Sequence, residues 1–181
     1  MELANAIKER RSIRKFEEKK IPHELMEEIV EVARFAPSLK NTQIVRYNVV
    51  EDEEIKAKLA SPECTFNFTF NAKTILGAAA LVVLTYVKGR SGFDRDGSFS
   101  TPKEDRWQNF DSGIAAQTFC LAAKERGLGT VILGYFDEDE IAKVMEIPEG
   151  QGVGALIAIG YPAEEPAPVP RKEVADLLKF I

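Results

Sequence analysis

Apolar positions along this chain follow two rhythms, one helical and one strand-like. Between Pro22 and Pro37 they fall at helical spacing, so Leu25, Ile29, Val32, Ala33 and Ala36 predict a helix with those residues on its inner face. Pro22 fits the first position of that helix, and Pro37 ends it. Residues 3–10 read as a shorter helix leading into the segment RRSIRKF at 10–16. Residues 44–51 (IVRYNVVE) predict a strand and 53–60 a helix. The stretch 78–87 (AAALVVLTYV) is apolar on both faces, the pattern of a central strand covered on both sides. The longest helix is predicted over 105–126, closed by Gly127. Its small residues Ser112, Gly113, Ala115 and Ala116 let another backbone approach closely, which puts this helix at the centre of the fold. A short strand follows at 130–133. Asp137 with Glu140 forms a capping-box-like start to a helix at 138–146, and residues 153–160 predict a further buried strand.

Two segments break the rhythm. Residues 88–106 mix Gly, Ser and alternating charge and read as a mobile excursion, the sort of segment that serves as a lid or binding loop. Four of the nine prolines lie in 162–170, an extended stretch unable to join a sheet interior. After it, Val174, Leu177, Leu178 and Ile181 recur at i, i+3, i+4 and i+7. A Pro-rich arm over 162–181 ending in an apolar stripe suits docking, either on a partner subunit or on its own chain. No repeat is visible. The expectation is one domain over 1–181, of class α+β, with a sheet flanked by helices.

Composition narrows the chemistry. The chain has 181 residues with 24 Lys+Arg and 29 Asp+Glu, a net charge of −5, which argues against a whole-surface nucleic-acid or membrane binder. His23 is the single histidine, so no His-pair metal site is available. Cys64 and Cys120 form no CxxC unit and read as small buried apolar residues. No apolar run reaches membrane-spanning length, and the opening MELANAIKERR lacks the apolar core of a signal peptide. A cytoplasmic, reduced protein is expected.

Three places carry candidate chemistry. Arg10, Arg11, Ser12, Arg14 and Lys15 concentrate positive charge in an acidic protein; guanidinium groups bind phosphate bidentately, although as structure alone this is a solvated basic face. Pro37, Ser38, Asn41 and Gln43 in APSLKNTQ offer amide donors and acceptors that suit the edge of a heterocycle, or make an ordinary turn. Arg171 and Lys172 follow the Pro-rich arm. No GxGxxG occurs, so any bound nucleotide would have its phosphate held by basic side chains.

In order along the chain, RRSIRKF, APSLKNTQ, DSGIAAQTFCLAAKERGLGTVILG and GYPAEEPAPVPR resemble the nitroreductase family over nearly the whole sequence. The resemblance implies an α+β fold with a mainly antiparallel central sheet, an intertwined homodimer with two active sites at its interface, and non-covalent FMN. It implies that Arg10, Arg11, Ser12 and Arg14 hold the ribityl phosphate, joined by Arg171. It places Pro37, Ser38, Asn41 and Gln43 beside the flavin, Leu133 and Gly134 along the isoalloxazine, and Asn71 with Lys73 near the flavin edge. NADH or NADPH would pass hydride to flavin N5, and a small aromatic, nitro or quinone-like electron acceptor would take the electrons at the same face, giving ping-pong kinetics. No protein nucleophile or base is needed. Family members commonly follow the Gln with Pro-Trp, whereas Gln43 here precedes Ile44, Val45 and Arg46. Phe93, Phe99, Trp107 and Phe110 could cap the pocket or simply pack. Competing readings are relatives with other flavin chemistry, such as flavin fragmentation or dehalogenation, and a non-catalytic flavin-binding dimer. Nucleic-acid binding through the seven Lys+Arg of the first 20 residues is a further one, without a recognised motif.

Overall fold

The computed structural model describes residues 2–181. Four strands, β1 (Val45–Val50), β2 (Ala80–Val87), β3 (Gly129–Leu133) and β4 (Gln151–Gly160), form one sheet in the order β1-β2-β4-β3, with every neighbouring pair antiparallel. Side chains alternate across a strand, so the doubly apolar run of β2 feeds both faces. Ala80, Val82 and Leu84 join one core with α2 (His23–Ala33) and α6 (Arg106–Glu125). Leu81 and Val83 join a second with α3 (Glu53–Leu59), α5 (Thr69–Gly77) and α7 (Glu138–Val144). A register shift between Leu84 and Thr85 leaves Gly154 as the extra residue of β4, which is why Val153 and Leu156 share a face. There the backbone passes so close to α6 that a Cβ on Gly154 would lie 3.2 Å from Ser112 Cβ. The small residues of α6 permit this approach, as expected of a central helix.

Local chemistry sets the element ends. Asp52 caps α3 by accepting from Ile55 N–H at 2.9 Å, and Asp137 caps α7 by accepting from Glu140 N–H at 3.0 Å. Helix α2 differs from expectation. Pro22 precedes it rather than occupying its first position, and it ends at Ala33, short of Pro37. Its buried stripe is Met26, Ile29 and Ala33, with Leu25 and Ala36 only half-buried. Val32 lies about a quarter turn from that stripe and is exposed, correcting its expected core position. Two helices were not predicted, α4 (Pro62–Thr65) and α5. Ser61 Oγ accepting from Cys64 N–H, with Pro62 at the first helical position, is the start signal that marks α4. The fully buried Lys56, 1% exposed, donates from Nζ to Ala78 O at 2.7 Å and pairs with Glu53, closing the end of α5.

Helix α1 (Leu3–Glu9) precedes the basic segment, and α8 (Val174–Leu177) sits in the C-terminal arm, whose apolar stripe is exposed. The chain between β2 and α6 is tied back to α6 by Gly89 N–H donating to Gln108 Oε1 and by Trp107 Nε1–H donating to Thr101 Oγ1. Gly129 leaves room for Ile13; a Cβ there would lie 2.7–2.9 Å from three side-chain atoms of Ile13, one of them Cβ. Gly129→Ala is therefore expected to cost about 1–3 kcal/mol by overpacking. The urea midpoint reads this, and an unchanged midpoint would show that Ile13 yields freely.

Candidate active site

The basic segment is stitched to the far end of the sequence. Ile13 N–H donates to Thr130 O at 3.0 Å, Glu17 N–H to Tyr161 O at 2.9 Å, and Ala163 N–H to Lys15 O at 3.0 Å. The Glu164 carboxylate accepts from Arg14 N–H at 2.7 Å and Lys15 N–H at 3.2 Å. Phe16 packs where Gly160 has no side chain; a Cβ there would sit 2.8–3.1 Å from it. Residues 12–16 are thereby fixed along the ends of β3 and β4.

Two cavities flank Glu164 and Pro166, which line both. One of about 560 Å³ is lined by Ser12, Arg14, Phe70, Lys73 and Thr74. The other, about 650 Å³, is lined by Arg10, Arg11, Lys124, Gly129 and Thr130. Arg14 is the telling residue. Its Nη1 donates to Ser12 O at 3.3 Å and its guanidinium lies 5.3 Å from the Phe70 ring centre, yet its Nε is buried with no hydrogen-bond partner. A buried charged donor without an acceptor is costly, so the cradle fits an anionic ligand, and a phosphate-bearing cofactor such as FMN has the required chemistry. Arg11 instead donates from Nη1 to Lys8 O and Arg10 O, closing the end of α1. Asn71 is buried and its Nδ2 donates to Tyr135 O at 3.0 Å, bringing α5 beside Leu133 and Gly134.

Phe66, Phe68, Phe70 and Tyr135 make an exposed cluster of ring pairs 5.3–6.0 Å apart next to this cradle. Sequence reasoning missed it, although phenylalanine at every second position of FNFTF was the available signal. Pro37, Ser38 and Gln43 lie elsewhere. With Tyr47, Asp111 and Ala115 they line a cavity of about 380 Å³ on the α2/α6 side, which shares no lining residue with the 560 Å³ cavity. Within one chain, the two predicted halves of the site remain apart.

The sequence profile of the nitroreductase family matches residues 7–161. The chain belongs to the nitroreductase family. A protein of Archaeoglobus fulgidus, provisionally named an NADH dehydrogenase/NAD(P)H nitroreductase, is 32% identical over 86% of this chain and 83% of its own length. An iodotyrosine deiodinase of Thermotoga neapolitana is 27% identical over 95% of both chains. An FMN reductase [NAD(P)H] of Bacillus subtilis is 26% identical over 94% of this chain and 70% of its own. Among solved structures, a nitroreductase family protein from Clostridium novyi NT superposes with a TM-score of 0.77 at 29% identity, covering 91% of this chain and 87% of that one.

This nitroreductase-family chain fills the place of the missing Pro-Trp in its own way. Ile44 is buried at 1% exposure, and Arg46 folds back so that Nη1 donates to Gln43 O at 2.9 Å and Val45 O at 2.8 Å. Lys40, Asn41 and Gln43 hold φ of 53°, 53° and 50°, a left-handed run without glycine that costs on the order of 1 kcal/mol or more per residue. Burial pushes the Tyr47 phenol up to about 12 and also pushes up the thiols of Cys64 and Cys120. Phe93 pairs with Phe99 and Trp107 with Phe110, and none of the four lines the cavities above. Arg171 is exposed on the arm, donating from Nη1 to Val169 O and Pro170 O. Lys73 is exposed at the rim of the 560 Å³ cavity. Among the described residues no helix is long and apolar enough to cross a membrane, and no group of three His, Cys, Asp or Glu could hold a metal.

Proposed function

We propose that this chain is an FMN-dependent NAD(P)H oxidoreductase that delivers electrons to a small aromatic, nitro or quinone-like acceptor by a ping-pong cycle. The observation that carries the reading is the unpartnered, buried Arg14 Nε in the cavity with Ser12 and Lys73. The likeness to an FMN reductase [NAD(P)H] and to an NAD(P)H nitroreductase supports it. When bound, FMN supplies the redox chemistry, taking hydride from the nicotinamide at N5 and releasing electrons to the acceptor. The protein binds and orients. Arg14 and the Ser12 hydroxyl hold the phosphate, with Arg10 lining the neighbouring cavity across Glu164 and Pro166, Arg11 bracing the segment and Arg171 joining once the arm is docked. Positive charge from Lys73 favours the reduced, anionic ring. Asn71, Leu133 and Gly134 present polar edge and backbone to it.

Pro37, Ser38, Asn41 and Gln43 sit on the other layer of the sheet, so they complete the site of a second copy. That separation supports a homodimer with two shared sites. Two free, buried cysteines support a reducing, cytoplasmic setting. A second reading keeps the flavin and changes the acceptor to a halogenated aromatic amino acid, supported by the deiodinase likeness.

The test is a visible spectrum of the purified protein followed by anaerobic NADH or NADPH. A yellow protein that bleaches, then regains colour with a nitro compound or quinone in parallel double-reciprocal lines, is the expected result. Recovery with halotyrosine alone would select the second reading. A protein that stays colourless after incubation with FMN would refute both.

A further inference from the structure

The segment between β2 and α6 and the loop carrying Ser38, Asn41 and Gln43 meet on one buried carboxylate. Asp111, on α6, is 2% exposed. Both of its oxygens lie 3.2 Å from Leu39 N–H, and Oδ2 accepts from the Ser91 hydroxyl at 2.6 Å, with Ser91 fully buried. A carboxylate taken out of water persists only where donors replace the water, and these donors come from two segments far apart in sequence.

The loop needs such a hold. Lys40, Asn41 and Gln43 are left-handed, and Thr42 Oγ1 is buried with no hydrogen-bond partner. Strained backbone of this kind keeps its shape only when its surroundings over-determine it. Within the loop, Ser38 Oγ accepts from Gln43 N–H at 3.0 Å. Besides Arg46 Nη1, which reaches Gln43 O from β1, two straps hold the loop from outside, and both end on the segment after β2. Lys40 Nζ donates to Asp94 and to Ser100 Oγ, but Lys40 and Asp94 are 49% and 48% exposed, where water and salt screen the pair. The Asp111 strap is buried and unscreened, so it dominates.

We propose that Asp111 is a positioning residue that locks loop 38–43, which completes the flavin site of the second copy, and residues 89–101 into one unit, so that acceptor access to that site depends on the Ser91–Asp111–Leu39 chain. What the unit does rests on the flavin reading above; that the two segments move together does not.

Hydrogen exchange on the full chain tests the coupling. The Ser91 hydroxyl and the Leu39 N–H both donate to the Asp111 carboxylate, so Ser91→Ala tests whether the effect reaches the loop through that carboxylate. The expected result is that Ser91→Ala speeds amide exchange about tenfold in both 39–43 and 89–101, and that Ser91→Thr, which keeps the hydroxyl, restores both. Asp111→Asn should do the same with a larger amplitude. On the flavin-loaded protein, Ser91→Ala should raise the acceptor KM about three- to tenfold while kcat and the bound-flavin spectrum stay near wild type. Faster exchange confined to 89–101 would overturn the proposal, as would a lowered melting temperature with unchanged KM. A colourless wild-type protein with coupled exchange would sink the flavin reading and still support the lock.

Discussion

Arg14→Ala is expected to weaken FMN binding by about ten- to one-hundredfold, the effect of removing one hydrogen bond to a charged group of roughly 1.5–3 kcal/mol. The residue is unusual for a surface cation. Its backbone N–H is held by Glu164 and its guanidinium is braced by Ser12 O and the Phe70 face, while its buried Nε lacks a partner. The backbone anchors survive the substitution, so the cradle should remain folded and only the ligand be lost. Arg14→Lys, which keeps the charge but loses the planar fork, should fall between the two. Flavin titration followed by fluorescence quenching gives the comparison. Equal dissociation constants for wild type and Arg14→Ala would remove Arg14 from the cofactor site.

Phe119→Ala is expected to give the largest loss of stability. The ring is 0% exposed at the centre of the α2/α6 core and stacks on Tyr47 with centroids 5.4 Å apart. Truncating a buried aromatic side chain costs about 3–5 kcal/mol through lost transfer energy and an unfilled cavity. In a domain of this size each kcal/mol shifts Tm by roughly 2–4 °C, so a fall of about 6–20 °C should appear in a thermal melt. The exposed Leu3→Ala serves as a control and should change stability by less than about 0.5 kcal/mol. A melt within 2 °C of wild type for Phe119→Ala would mean that α6 repacks, contrary to the close-packed interior described above.

Every strand was legible to within a few residues, because β2 and β4 are apolar on both faces and no helix matches that pattern. The capping signal at Asp137 placed α7. Helices α4 and α5 were hidden: four residues are too few to show a period, and α5 turns no distinct apolar face toward one side. The stripe of α2 was misjudged at Val32 because counting apolar residues does not reveal how far the helix is rotated on the sheet. For the proposed site, the ordered motifs pointed to Arg14 and Ser12, which the fold sets by the start of β3 and the end of β4, and to Asn71, which it sets against Tyr135 just past the other end of β3. They could not show that Arg11 is spent on a helix end, that the Ser38 loop lies on the opposite layer, or that Asp111 ties that loop to Ser91. Each of those depends on contacts between residues distant in the chain, which local spacing does not encode.

The stitching of residues 12–16 to Thr130, Tyr161 and Glu164 bears on how the protein is made. Closing so long a loop is entropically slow and cannot occur before the later partner exists. During translation, helix α2 and strands β1 and β2 leave the ribosome well before Glu164 does, so Arg14 has no seat until Glu164 has emerged. Prematurely terminated chains would carry the basic segment yet lack the cradle. A ligand that binds only the finished cradle stabilises chains that include Glu164 and leaves shorter fragments unprotected, giving proteolytic quality control a chemical basis for telling them apart.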